Sequence, residues 1–294
     1  MAECRYTRPE TLEDAVASLI AAEGEAHVIA GGVALGILMN EKLVEPTWLI
    51  DISRLEALRG IEATDDGGLR IGAMTLHREI ERSPPVAERC PMLSEMASEI
   101  ACSRIKNRGT IGGNICLADP QGDPPAAVIA LRATLRVSGP RGPRDVPATE
   151  FFTDLYTTAV GDDELLQEIR IPPPALNSGA AFGKFSARNA MDYGSTVSVA
   201  VRLSRDPSTG LIEDIGLGLG GVGETPVWPE RTEAALRERL PDEETFAHMR
   251  KVLFAEIDPL GDDLYSADYK RHVASVIMKR TVLEAYGRAG AKSP

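Results

Sequence analysis

The chain is poor in cysteine, histidine and positive charge, and each shortage excludes a class of function. Its 294 residues include four cysteines, at 4, 90, 102 and 116, with no C-x-x-C spacing. Thiols so scattered in a chain of this size make no disulfide framework. The four histidines, at 27, 77, 248 and 272, show neither an H-E-x-x-H pattern nor a paired spacing. A metal site of the chain's own is therefore not expected, and buried thiols and ordinary histidines are. Lys and Arg number 32 against 44 Asp and Glu, leaving a formal charge of −12 and a pI of ≈ 4.9. Nucleic-acid binding needs a basic face, which this balance does not offer. No apolar run approaches the roughly 20 residues that span a bilayer. Met1-Ala2-Glu3-Cys4-Arg5-Tyr6 has no apolar h-region, so a soluble, cytoplasmic protein is expected. If such a chain does redox chemistry, an organic cofactor has to carry it.

What is present suits two domains with a substantial core. Thr11-Leu12-Glu13-Asp14 is a capping-box start, and Leu12, Ala15, Val16, Leu19 and Ile20 fall on one helical face closed by Gly24. His27–Ala30 reads as a buried strand running into Gly31-Gly32, after which Val33–Met39 reads as helix. Trp48–Ile52 is another strand, and Asp65-Asp66-Gly67-Gly68 turns a hairpin between Arg59–Glu62 and Leu69–Gly72. A helix is expected over Met92–Ile105, a second from Pro124-Pro125 to Leu131, then strands at Ala133–Val137 and Leu165–Ile171. Pro172-Pro173-Pro174 with Asn177-Ser178-Gly179 marks the domain boundary, giving domains 1–175 and 176–294. Beyond it, Lys184–Arg188, Thr196–Leu203 and Leu211–Leu219 read as antiparallel strands, followed by helices near 229–240, 242–255 and 267–288. The fold class is α+β, the second domain being the smaller.

Two glycine motifs stand out. Asn107-Arg108-Gly109-Thr110-Ile111-Gly112-Gly113-Asn114 gathers a hydroxyl, an amide and several side-chain-free positions in what reads as one loop. Such a run lets backbone N–H groups converge on an anion, although a plain tight turn uses the same residues. Ala30-Gly31-Gly32, between a strand and a helix, is a second place where N–H groups would meet an anion at a helix N-terminus. A third motif, Gly218-Leu219-Gly220-Gly221-Val222-Gly223, matches the dinucleotide fingerprint G-x-G-x-x-G. That fingerprint requires a helix directly after it. Glu224-Thr225-Pro226-Val227-Trp228-Pro229 follows instead, and its prolines forbid one. These glycines are better suited to a strand end where backbones cross closely.

In this order the motifs carry a resemblance. Tyr6-x-x-Pro9, Ala30-Gly31-Gly32, Leu49-Ile50-Asp51-Ile52, Ile71-Gly72-Ala73, Asn107–Asn114, Asp119-Pro120-x-x-Asp123-x-Pro125, Glu164-Leu165-Leu166 and Ile171-Pro172 run through nearly the whole chain. It resembles the medium, FAD-binding subunit of the molybdenum hydroxylases, the xanthine dehydrogenase and carbon monoxide dehydrogenase family. The resemblance implies a two-part FAD-binding domain of the PCMH type, then a smaller antiparallel-sheet-plus-helices C-terminal domain. It implies that Val28, Ile29, Ala30, Gly31, Gly32, Val33, Ala34 and Leu35 face the FAD pyrophosphate together with Thr110, Ile111, Gly112, Gly113 and Asn114. Backbone N–H groups from both stretches would hold the diphosphate, with the Thr110 hydroxyl and Asn114 amide added, so that an acidic chain needs no lysine there.

Asp123 corresponds to an acidic position near ribityl or ribose hydroxyls, unless it is only a turn aspartate before prolines. Ile100 and Leu166 fall at apolar positions beside the cofactor, where core packing is the plain alternative. Lys184 matches a lysine reaching the flavin from the second domain, where a cation would stabilise the reduced anionic ring; the alternative is a solvated strand lysine. By the same resemblance Tyr193, in Met191-Asp192-Tyr193-Gly194, is expected to cover one flavin face. Val33 departs from the polar residue many relatives have after the two glycines, and with no histidine there FAD is expected to be non-covalent. The cysteine-bearing insertion that holds an extra iron–sulfur cluster in certain relatives is absent.

By the same resemblance, a large molybdenum-cofactor subunit oxidises the substrate and a small subunit with [2Fe–2S] clusters relays electrons to this FAD. The assembly implied is a dimer of heterotrimers. No acid–base pair of this chain is required. Two alternatives stay open: a self-contained flavin oxidoreductase of the wider fold, and a non-catalytic binding protein that retains it.

Overall fold

The computed structural model describes residues 4–186 and 195–290. The chain opens with β1 (Arg5–Thr7), α1 (Leu12–Ala22), β2 (Ala26–Ile29), α2 (Val33–Asn40) and β3 (Trp48–Asp51). These strands form a parallel sheet in the order β1-β3-β2. Thr11 caps α1 by accepting from Asp14 N, and Ala15, Leu19 and Ala22 bury one stripe against Trp48 and Ile50, with Val16 buried beside them in sequence. Ile20, expected on that stripe, is 48% exposed, because the sheet takes up only the narrower stripe ending at Ala22.

A second lobe begins with β4 (Ile61–Ala63) and β5 (Leu69–Gly72), joined by the expected hairpin. Six short helices follow: α3 (His77–Arg82), α4 (Pro84–Arg89), α5 (Pro91–Glu99), α6 (Ser103–Lys106), α7 (Ile111–Leu117) and α8 (Asp123–Ala130). Then come β6 (Thr134–Gly139), β7 (Gly142–Pro147), α9 (Ala148–Phe151), the hairpin β8 (Phe152–Asp154) and β9 (Thr157–Thr158), and β10 (Leu165–Ile171). An antiparallel sheet runs β4-β5-β10-β6-β7, and the helices close its inner face over a core centred on Ile71, Met92, Met96, Leu135 and Ile169.

The single helix expected over Met92–Ile105 is broken. Ile100 is extended, Ala101 takes φ 35°, and Lys106 Nζ folds back to the Ser98 carbonyl at 2.9 Å and to Glu81 at 3.1 Å. Apolar spacing runs smoothly across such a break, because a left-handed alanine leaves no mark in the pattern.

The last part is β11 (Ser178–Phe185), β12 (Val197–Arg205), β13 (Ile212–Gly220), α10 (Glu230–Leu236), α11 (Glu243–Phe254) and α12 (Ala267–Gly290). The three strands form an antiparallel sheet, and α12 packs on it through Ala274, Met278, Val282 and Ala285. β11 starts at Ser178, inside the stretch read as linker, and pairs in unbroken register from Ser178↔Ser204 to Phe185↔Val197.

The G-x-G-x-x-G stretch is a crossing point. A Cβ on Gly218 would stand 2.9 Å from the Ala126 carbonyl carbon and closer still to its oxygen, so α8 lies directly on β13. Val227 then returns alongside Leu219, bonded in both directions at 2.8 and 2.9 Å, where a dinucleotide fold would start a helix. The two halves of the chain are thereby packed together through α8.

Candidate functional site

A cleft of about 370 Å³ opens between the parallel-sheet lobe and the helices of the second lobe. One wall is the β2–α2 connection. Gly32 caps α2 in the left-handed conformation, φ 72°, with no side chain satisfying the helix start. Among the described residues, the N–H groups of Gly31, Gly32, Val33, Ala34 and Leu35 find no acceptor. Unsatisfied donors at a helix N-terminus, with the dipole behind them, attract an anion.

The opposite wall is the Asn107–Asn114 segment, and here the structure departs from the expected loop. Thr110 is an N-cap and α7 begins at Ile111. The N–H groups behind it are already used within the protein. Ile111 N donates to Thr75 O at 2.9 Å, Gly112 N to Ala73 O at 2.8 Å, Gly113 N to Thr110 Oγ1 and Asn114 N to Thr110 O, both at 3.1 Å. Among the described residues of the two walls, converging free donors are thus confined to Gly31–Leu35, and Thr110 Oγ1 serves its own helix first. Gly112 is glycine for close packing, since a Cβ there would stand 2.5 Å from Ala73 Cβ.

The two walls touch. A Cβ on Gly31 would lie 2.8 Å from the Arg108 carbonyl carbon, and closer still to its oxygen. The Arg108 guanidinium reaches Gly31 O at 3.3 and 3.4 Å. Of the residues singled out in the sequence, Val28, Ala30, Gly31, Gly32, Val33, Ala34 and Leu35 meet Thr110, Gly112, Gly113, Asn114 and Leu166 around this cleft. Asn114 Oδ1 is buried and accepts no hydrogen bond from any described residue.

Others are not brought to the wall. Ile29 lies in β2 behind it, Ile111 is fully buried, and Ile100 is packed in the main core at 3% exposure. Asp123 and Lys184 instead pair with each other at 2.8 Å across the junction of α8 and β11. Lys184 Nζ also donates to Glu99 O at 3.0 Å, and Ser195 Oγ donates to the other Asp123 oxygen. Burial pushes the Asp123 carboxyl up, and the Lys184 ammonium opposes it. The solvated-lysine and turn-aspartate alternatives are thus corrected, since both side chains are withdrawn from water. Tyr193 lies outside the described residues.

The cleft also contains residues that sequence reading did not assign to the cofactor site, Glu164 and Leu165 among them although they stand in a motif of the resemblance. His77, at the start of α3, is 1% exposed and packs beside Gly109. Burial, aided by the Lys106 charge, lowers its imidazole to about 4, so it is neutral at pH 7. Glu164 brings a carboxylate to the wall, held low by the Arg144 guanidinium at 2.8 Å. Met74 and Leu165 complete an apolar floor. None stands in a glycine-rich or charged pattern, so only the folded chain gathers them. Among the described residues no group of three or more His, Cys, Asp or Glu is placed to hold a metal.

Residues 2–174 match the family described as FAD binding domain in molybdopterin dehydrogenase, and 181–285 match the CO dehydrogenase flavoprotein C-terminal domain. The chain belongs to the FAD-binding medium subunits of the molybdenum hydroxylases. It is 34% identical to the carbon monoxide dehydrogenase medium chain of Hydrogenophaga pseudoflava, over 96% of this chain and 97% of that one. It is 30% identical to the putative xanthine dehydrogenase FAD-binding subunit of Escherichia coli, over 98% and 97%. Among solved structures it superposes on carbon monoxide dehydrogenase from Hydrogenophaga pseudoflava lacking the Mo-pyranopterin moiety. The TM-score is 0.93 at 35% identity, covering 97% of this chain and 98% of that one. As a medium subunit the chain is part of an oxidoreductase, and its fold is the α+β pair of domains expected. No helix among the described residues is long and apolar enough to cross a membrane.

The residues present fit FAD. Five unsatisfied N–H groups suit an anionic diphosphate, the orphan Asn114 Oδ1 suits a donor of the cofactor, and the apolar floor suits a ring system.

Proposed function

We propose that the chain is the FAD-carrying electron-transfer subunit of a multisubunit molybdenum hydroxylase. It takes electrons from the [2Fe–2S] clusters of a small partner and passes them to an external acceptor. Substrate oxidation then belongs to a large molybdenum-cofactor subunit, in a cytoplasmic dimer of heterotrimers. In this reading 1–175 is the cofactor domain and 176–294 the C-terminal domain. The observation that carries it is the unsatisfied row of N–H groups from Gly31 to Leu35, facing the glycine wall of α7.

Bound there, FAD supplies the exchange between single electrons and electron pairs. The chain's own groups bind, orient and exclude water. Gly31–Leu35 hold the diphosphate through backbone donors, and Val33 adds no side-chain bond, which supports a non-covalent cofactor. Val28, Met74, Leu165 and Leu166 keep water from the cleft. Neutral His77 adds no charge to that wall, and Arg144 offsets the charge of Glu164. Asp123 and Lys184 form a buried charge pair from the two domains, so that neither charge is left uncompensated.

The test is purification of the chain with its native partners. Flavin released into the supernatant by acid precipitation, iron and molybdenum in the complex, and flavin reduction only when the partners and substrate are present support the proposal. A flavin-free complex, or flavin reduction by a substrate acting on the chain alone, would sink it.

A further inference from the structure

The two walls of the cleft differ in how the protein itself holds them. In α7, Ile111, Gly112 and Ile115 are buried, and the N–H groups of Ile111 and Gly112 are bonded to Thr75 and Ala73. The α2 wall has neither kind of support. No residue between Ala22 and Trp48 is buried, and β2, which leads into α2, is an edge strand of the parallel sheet. Among the described residues, every hydrogen bond made by 33–44 has its partner between Gly32 and Val44. Val33, Ala34, Leu35, Leu38 and Val44 line the cleft, while Ile37 and Leu43 on the same segment are 51% and 72% exposed.

Both ends of the segment are suited to turning. Gly32 at φ 72° and Lys42 at φ 57° stand in the left-handed region on either side of α2. Leu43 N and Val44 N both return to Leu38 O, at 2.9 and 3.3 Å, so that 33–44 closes on itself as one unit. Just before the first hinge, the Arg108 guanidinium holds Gly31 O, which fixes the base and leaves the helix beyond it untied. An eight-residue helix is marginal when its own packing does not hold it. Segments with few buried apolar groups open locally, far below the free energy of global unfolding. An anion on the free N–H groups of the first turn favours the helical, closed arrangement alone. An apolar group in the cleft gives Leu35, Leu38 and Val44 the burial that the surrounding protein does not.

We propose that α2 with its return turn, residues 33–44, is a flap through which FAD enters and leaves the cleft, hinged at Gly32 and Lys42 and latched by the cofactor it covers. The flap is closed most of the time with or without the cofactor, so it sets the rate of exchange and not the affinity. This rests on the FAD reading above.

The experiment uses the assembled complex, with its flavin and after the flavin has been removed, and follows amide hydrogen exchange by mass spectrometry. In the flavin-free complex the amides of 33–44 should exchange together, at least ~10-fold faster than those of α7, and free FAD at about ten times its Kd should slow them ~10-fold. Gly36→Ala raises the helix propensity of the flap at a position where an added Cβ meets nothing within 4 Å. It should lower opening about 2–5-fold, and with it both the association and the dissociation rate of FAD, leaving Kd within about twofold. Gly287→Ala, equally unobstructed in α12, should change none of these. Protection of 33–44 equal to that of α7 in the flavin-free complex overturns the flap, and so do FAD rates that Gly36→Ala leaves unaltered. Either result leaves flavin in the complex; a complex that takes up no FAD overturns the cofactor reading, and the flap with it.

Discussion

Gly31→Ala tests the cleft most directly. Gly31 has no positive φ to lose, so the effect is one of space. The new methyl would stand 2.8 Å from the Arg108 carbonyl carbon and 3.3 Å from Gly109 Cα, and both neighbours are backbone. Backbone yields less than a side chain, so the two walls have to separate by about 1 Å, at an overpacking cost of about 1–3 kcal/mol. A lateral shift of that size takes a hydrogen bond from ~2.9 to ~3.9 Å, beyond useful reach. Losing even one or two charge-assisted bonds costs about 3 kcal/mol, on the order of 100-fold in Kd for FAD. Gly36→Ala is the matched control, because Gly36 is in the same helix with nothing within 4 Å of an added Cβ. It should stabilise α2 by about 0.5–1 kcal/mol and leave FAD affinity alone. Both variants are measured by FAD titration of the full chain and by flavin content of the assembled complex. If Gly31→Ala binds FAD within about twofold of wild type, contact between the walls does not set the diphosphate site.

Lys184→Met leaves Asp123 buried without its cation, which should destabilise the fold by about 3–5 kcal/mol at pH 7. Asp123 is already pushed up by burial, so protonating it relieves the loss, and the gap in unfolding midpoint from wild type should narrow as the pH falls. Thr110→Ala removes the cap on α7, at a cost of about 1 kcal/mol read from chemical denaturation, while Thr110→Ser should retain it. Burial would raise Asp51, but hydrogen bonds from Tyr6 and Ser53 and the Arg8 guanidinium outweigh it and hold the carboxyl at about 2 against 3.8. Its folded pKa being the lower one, Asp51 adds about 2 kcal/mol above pH ~4, and this is lost as the pH falls through ~2. The midpoint difference between wild type and Asp51→Asn should close over that range, and a difference that persists below it would contradict the assignment.

The strands and helices with strong local signals were legible in the sequence: α1 from its Thr11 cap, the β4–β5 hairpin from Asp65–Gly68, and β10 from its apolar run ending at proline. Other elements depended on tertiary contacts. α5 and α6 separate at Ala101 because Lys106 finds the Ser98 carbonyl and Glu81, two partners that periodicity cannot supply. β11 starts early because Ser178 and Gly179 have β12 to pair with, whatever their propensity for a turn. In the site, the glycine motifs could be read because close approach limits the residue type. His77 and Met74 could not, since each reaches the cleft through the course of the chain after β5 and carries no local mark of it.

The glycine motifs also divide their work in a way that composition conceals. Both were expected to offer a nest of N–H groups, yet the Ile111–Asn114 donors are consumed by Thr75, Ala73 and Thr110, while those of Gly31–Leu35 are left free. An anion held from one wall only is oriented by that wall. The opposite wall then contributes closeness, through Gly31 against Arg108 and Gly112 against Ala73, and an acceptor at Asn114 that no described residue pairs. Gly218 serves a third purpose, letting α8 lie on β13. The number of glycines in a motif therefore says less about its ligand than which of its N–H groups the fold has left without a partner.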